Sequence, residues 1–167
     1  RFALDLLVGL RIAHGDRDAL ESVARATPGS GWSAAQRAQA LLATGDRAAA
    51  LQAYAEDAPD VRGAINDLVN DEWVWRLPHV VNHAHLRIAA GDGDGREMLH
   101  ELLAHEAALR AEGIVNVDVL YWVATARAVL GERERALECL EEAVAHGWRQ
   151  AWWARCDWNW SGHADDG

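Results

Sequence analysis

The segment His100-Glu101-Leu102-Leu103-Ala104-His105 carries the most conspicuous chemistry in the chain, because two histidines with a glutamate beside the first look like the helical zinc-protease motif, in which the imidazoles bind the ion and the carboxylate acts as base. Such a site needs its histidines four apart. On a helix turning about 100° per residue, positions five apart diverge by about 140°, so His100 and His105 do not share one ion and read as polar-face residues. His79 and His83 do stand four apart, with His85 nearby. Zinc or nickel would fit them if a carboxylate from another helix joined, but no third ligand is identifiable, and histidines at the edge of a core or groove account for all three. Asp92-Gly93-Asp94-Gly95 opens like a calcium loop, yet Arg96 takes the next ligand place and Glu97 the place of the turning glycine, leaving an acid-rich loop between helices. No serine, cysteine or aspartate sits in a nucleophile setting, and no glycine loop with a lysine cradles phosphate. The expectation is a chain with no catalytic residue, no metal and no cofactor.

The elements that position these residues are helical. Alanine, leucine, arginine and glutamate dominate, half of the residues are hydrophobic, and three prolines are all that interrupt, so the fold class is all-α and one domain over residues 1–167 is expected. One punctuation recurs: an apolar helix, a glycine followed by an acid, then a second helix. It appears at Gly15-Asp16 before Ala19-Leu20, at Gly45-Asp46 before Ala50-Leu51, at Gly131-Glu132 before Ala136-Leu137, and in a looser form at Gly91-Asp92, stretched by Gly93 and Gly95 before Met98-Leu99. Glycine accepts the left-handed backbone that ends one helix, and the acid suits the positive start of the next. Ser33 with Gln36 predicts a capping box, and Pro78 fits a first helical turn. Thr27-Pro28-Gly29 and Ala58-Pro59-Asp60 end the helices before them. The pattern predicts helices at about 2–13, 16–26, 33–44, 46–57, 61–70, 78–90, 96–111, 117–130 and 132–146. They form hairpins at about 1–27, 33–57, 77–111 and 117–146, with an extra helix at about 61–70.

In the last hairpin Leu120, Val123 and Ala124 form a large, large, small triplet, Gly131 closes the first helix, and Ala136, Leu140 and Ala143 line the second. In the second hairpin Ala38, Leu41, Gly45, Ala50 and Tyr54 correspond, while Ala34 stands where a larger residue is usual and Asp57 replaces an alanine. These positions resemble the tetratricopeptide repeat (TPR). The first hairpin is one residue short between Gly15 and Ala19, and the third has two too many. The resemblance implies a right-handed superhelical stack of about four hairpins whose first helices line a concave groove for a peptide or protein segment. Carried over residue by residue, it points to Trp32, Gln39, His85, Asp118, Tyr121 and Thr125 as groove residues. A carboxylate clamp built on lysine, as in some members of that family, has no counterpart, since the chain contains no lysine.

A hairpin array leaves its last apolar face open. Five of the nine tryptophans, Trp148, Trp152, Trp153, Trp158 and Trp160, follow Gly147, so a Trp-rich cap is expected at 147–167. Those rings could instead form an aromatic platform for a sugar, peptide or cation. The run from Gly147-Trp148-Arg149 through Trp152-Trp153 to Asp157 also resembles the end of the repeat region of bacterial transcriptional regulators with an N-terminal winged helix, though Trp158-Asn159-Trp160 replaces a proline-containing continuation.

The formal charge of −10 repels phosphate backbones and no basic stripe is segregated, so no direct nucleic-acid contact is expected. The most apolar stretch, Ile114 to Leu130, carries Asp118 and Arg127, so no membrane insertion is expected either. Cys139 and Cys156 make neither a disulfide framework nor a zinc site, and the compartment stays open with the cytoplasm slightly favoured over the periplasm. A start at Arg1, straight into a helix, suggests a piece of something longer. The reading that follows is a non-catalytic protein–protein interaction module. Its alternatives are the regulatory or sensor domain of such a transcriptional regulator, and a helical enzyme domain binding a metal or small molecule.

Overall fold

The structure, a computed structural model, describes residues 2–27, 30–56 and 76–160. All regular structure among them is helical: α1 Phe2–His14, α2 Arg17–Ala24, α3 Ala34–Thr44, α4 Arg47–Glu56, α5 Leu77–Ala89, α6 Asp94–Ala111, α7 Val117–Leu130, α8 Arg133–Ala145 and α9 Ala151–Cys156, closed by a 3₁₀ turn at 158–160. The class is all-α. The extra helix expected at 61–70, the Ala58-Pro59-Asp60 turn, Pro28-Gly29, Asp57 and the last part of the expected cap lie outside the described residues. Among the described residues, no helix is long and apolar enough to cross a membrane.

Local chemistry explains the helix ends. Gly15, Gly45, Gly91 and Gly131 all take positive φ. At each, the N–H of the following acid returns to a carbonyl five residues back, Asp16 to Arg11, Asp46 to Leu41, Asp92 to Arg87 and Glu132 to Arg127, at 2.9–3.0 Å. This closes the first helix and satisfies its last carbonyls, a geometry in which a Cβ would be strained. In three of the four turns the residue supplying that carbonyl is an arginine whose side chain clamps the same acid: Arg11 to Asp16, Arg87 to Asp92 at 2.6 Å, and Arg127 to Glu132 at 2.6 Å. The Ser33–Gln36 capping box is formed in both directions, the Ser33 N–H donating to Gln36 Oε1 at 3.0 Å and the Gln36 N–H to Ser33 Oγ at 3.2 Å.

Backbone contacts group the chain into two compact units, residues 1–59 with 151–158, and residues 60–150 with 159–167. In the first, α1 pairs with α2 and α3 with α4, while α3 also packs on α1 and α2. Val8, Leu20, Val23 and Ala40 make its core, with Ile12, Ala24 and Trp32 packed against them. Gln36 reaches from α3 to α1 and donates to Asp5 Oδ1 at 2.8 Å. α9 lies on α1, where a Cβ on Gly9 would stand 3.1 Å from the Trp153 ring.

The second unit repeats the order: α5 pairs with α6 and α7 with α8, while α7 also packs on α5 and α6. Every residue of α7 from Val119 to Ala126 is buried, so this helix is the centre of the unit rather than an amphipathic surface element. Leu120, Val123, Ala124, Ala136 and Ala143 are all buried, as are Ala38, Ala50 and Tyr54 in the first unit.

One expectation needs correction. Gly93 and Gly95 do not stretch the third hairpin, because α6 starts at Asp94 and Gly95 is buried inside it. A Cβ on Gly95 would lie 2.5 Å from the Ala84 carbonyl oxygen. The glycine is the close-approach residue between α5 and α6, four after Gly91, as Ala19 stands four after Gly15. With Gly95 rather than Met98 in the small-residue place, the two surplus residues become a shortage of one, as in the first hairpin, against the spacing of five at Gly45–Ala50 and Gly131–Ala136.

Trp152, Trp153 and Trp158 belong to the first unit, Trp148 and Trp160 to the second.

Candidate functional site

Of the six residues expected to line a groove, Trp32 and Gln39 lie in the first unit. Trp32 is half-buried against the core and Gln39 is buried in α3. The other four lie in the second unit, His85 on α5 and Asp118, Tyr121 and Thr125 on α7. Asn116 starts α7 as its N-cap, accepting from the N–H groups of Asp118 at 2.9 Å and Val119 at 3.3 Å, and this fixes Asp118 in the first turn. Tyr121 and Thr125 follow at helical spacing on the same side.

Each of these four side chains meets a residue of the segment after α8. Gln150 Nε2 donates to Asp118 Oδ1 at 3.1 Å. The Trp148 ring stacks on Tyr121, centroids 4.5 Å apart and planes 6° from parallel. Trp160 Nε1 donates to Thr125 Oγ1 at 3.2 Å, while the Thr125 hydroxyl donates to the Tyr121 carbonyl at 3.0 Å. His85 Nδ1 lies 2.8 Å from Asn159 Oδ1. The other end of the same amide, Asn159 Nδ2, donates to Asn82 Oδ1 at 2.7 Å. With the Asn159 oxygen accepting, His85 Nδ1 carries the proton. Tyr121 is therefore no solvent-facing anchor: it is 1 % exposed and forms the floor beneath Trp148. Burial also pushes the Asp118 carboxyl above the usual carboxylate range.

The arrangement can read a carboxamide at both ends and an indole N–H. Sequence spacing did not single out Asn82 or Asn159. Asn82 stands three residues before His85, on the same helical face, which is the one signal available.

The other candidate chemistry is absorbed by structure. Arg87 donates from Nε to Asp92 at 2.7 Å and from Nη2 to Asp94 at 2.8 Å, so the Asp92–Asp94 pair is held by an internal cation. His100 is exposed and His105 half-buried. Among the described residues, no three His, Cys, Asp or Glu side chains come together as a metal-holding group. Burial pushes the thiols of Cys139 and Cys156 up, opposite to the shift that activates a nucleophile.

His83 is buried on α5, and this burial, with the Arg87 charge second, holds its pKa down to about 4 against the ordinary 6.5. Between those values the unfolded chain binds a proton that the folded chain refuses. This stability is present above pH 6.5 and is lost as pH falls toward 4, with a slope of up to about 1.4 kcal/mol per pH unit. Urea midpoints measured across that window should fall less steeply for His83→Gln than for the wild-type chain, and identical profiles would place the acid sensitivity elsewhere.

No protein-family model, no curated protein and no solved structure matches this chain.

Proposed function

We propose that this chain is a non-catalytic interaction module of TPR-like helical hairpins, and that it takes a peptide or protein segment on the α5/α7 face of its second unit. The observation that carries the reading is the row formed by Asn82, His85, Asp118 and Thr125, each of which meets a side chain of the segment that follows α8. A face that recognises side-chain amides and an indole in this way has the chemistry of a peptide reader. The helix order supports it, since in each unit two hairpins follow one another with their first helices in contact. The formal charge of −10 favours a basic partner, whose attraction is screened beyond about 10 Å at 0.1 M salt.

The test is a peptide array probed with the full chain, followed by calorimetric titration of the peptides retained. Retained peptides should lose affinity by about tenfold with His85→Ala, in line with the loss of one well-placed interface side chain, and should weaken as salt rises. Retention of no peptide, or equal binding by wild type and His85→Ala, sinks the assignment of this face.

A further inference from the structure

Asn159 is an unusual tail residue: it is 3 % exposed, and both ends of its amide are engaged, by Asn82 from one side and His85 from the other. An aspartate there would bury a charge and could not donate to Asn82 Oδ1, so the amide fits this pair of partners better than the acid. The next residue, Trp160, places its indole N–H on the Thr125 hydroxyl, which is itself fully buried. Two consecutive side chains are thus read by three residues on two helices, 35 to 77 positions away in the chain.

We infer that the α5/α7 face is a recognition site for a carboxamide–indole pair, that Asn159-Trp160 fills it in cis, and that a partner segment carrying Asn-Trp competes for it in trans. This rests on the peptide-binding reading of the same face and adds the identity of the motif and its regulation. A tethered occupant competes at an effective concentration that reaches millimolar for short flexible links, so a free peptide meets a site that is mostly taken. Its apparent affinity is reduced by the fraction of sites left open, and removing the cis pair lifts that reduction.

The probe is the pentapeptide of residues 157–161, Asp-Trp-Asn-Trp-Ser, blocked at both ends, with a control in which its Asn is replaced by Asp. Titrated by calorimetry into the full chain carrying Asn159→Ala and Trp160→Ala, the Asn peptide should bind more than about tenfold tighter than it binds the wild-type chain. The Asp peptide should not bind, and adding Thr125→Val to the double variant should weaken the Asn peptide. Equal binding of both peptides, or none to a double variant that circular dichroism shows to be folded, overturns the inference.

Should the double variant not fold, the wild-type chain decides. At millimolar Asn peptide the Trp160 indole N–H resonance, assigned by its loss in Trp160→Phe, should move, and an unmoved signal refutes competition. If other peptides bind the double variant in a Thr125-dependent way while Asn-Trp does not, the motif falls and the peptide-binding face stands. If no peptide of any sequence binds, both fall.

Discussion

Tyr121→Ala is expected to lower the free energy of unfolding by about 3–5 kcal/mol, the range for removing a large aromatic ring from a core. The ring is 1 % exposed, so its whole area is lost to a cavity rather than to water. It is also gripped from two directions. Trp148 stacks on it with centroids 4.5 Å apart, and Trp122 meets it edge-on at 5.1 Å. A stacked pair of this geometry adds about 0.5–1.5 kcal/mol beyond burial. The double variant Tyr121→Ala/Trp148→Ala should therefore lose less than the sum of the two single losses, by about that amount, in urea unfolding followed by circular dichroism. A small loss for Tyr121→Ala would mean that the ring is not held as described. It would also return Tyr121 to the role that the repeat resemblance implies for it, an anchor offered to a partner.

The difference between those two roles marks how far the residues could be read in advance. Helix ends were legible because they depend on local chemistry. A glycine followed by an acid requires only the conformational freedom of one residue and the N–H of the next, and each such pair sits at a helix end in the structure. The capping box at Ser33 and Gln36 was legible for the same reason. The clamp from arginine to acid, five positions apart at three turns, was equally present in the spacing, at Arg11, Arg87 and Arg127, but helical pair rules look three and four residues ahead and pass over it.

What escaped depends on residues far apart. α9 is six residues long and no cap announces it, and its place comes from Trp153 meeting Gly9 on α1. The row on the α5/α7 face was half legible: helical spacing and the repeat register put His85, Asp118 and Thr125 on first helices. Nothing local says that Asn159, 77 positions from Asn82, completes them. Burial of Tyr121 belongs with these, because the ring that covers it comes from beyond α8. A tyrosine on a repeat's inner face is an anchor or a floor according to whether such a ring arrives.

Gly95 was misread for a related reason, and its substitution is the second large effect expected. In the run Asp92-Gly93-Asp94-Gly95 both glycines look like loop residues. Asp92 and Asp94, however, are both tied to Arg87, and the Asp94 N–H donates to Asp92 Oδ1 at 3.0 Å, which starts the helix two residues earlier than the run suggests. Gly95 then falls in the first turn of α6, facing α5, with the Ala84 carbonyl oxygen 2.5 Å and the Arg87 and Ile88 side chains 3.0 Å from where a Cβ would go. Alanine in place of glycine favours a helix by about 1 kcal/mol, so an unobstructed site would be stabilised. Here the nearest obstacle is backbone, which cannot swing aside as a side-chain end can, and overpacking of this kind costs about 1–3 kcal/mol. The clash should win. Gly95→Ala should lower the urea midpoint, whereas Gly93→Ala, with nothing within 4 Å of its would-be Cβ, should leave it nearly unchanged. Loss at position 95 without loss at 93 identifies a helix contact, and equal tolerance at both would mean that α5 and α6 do not approach as closely as described.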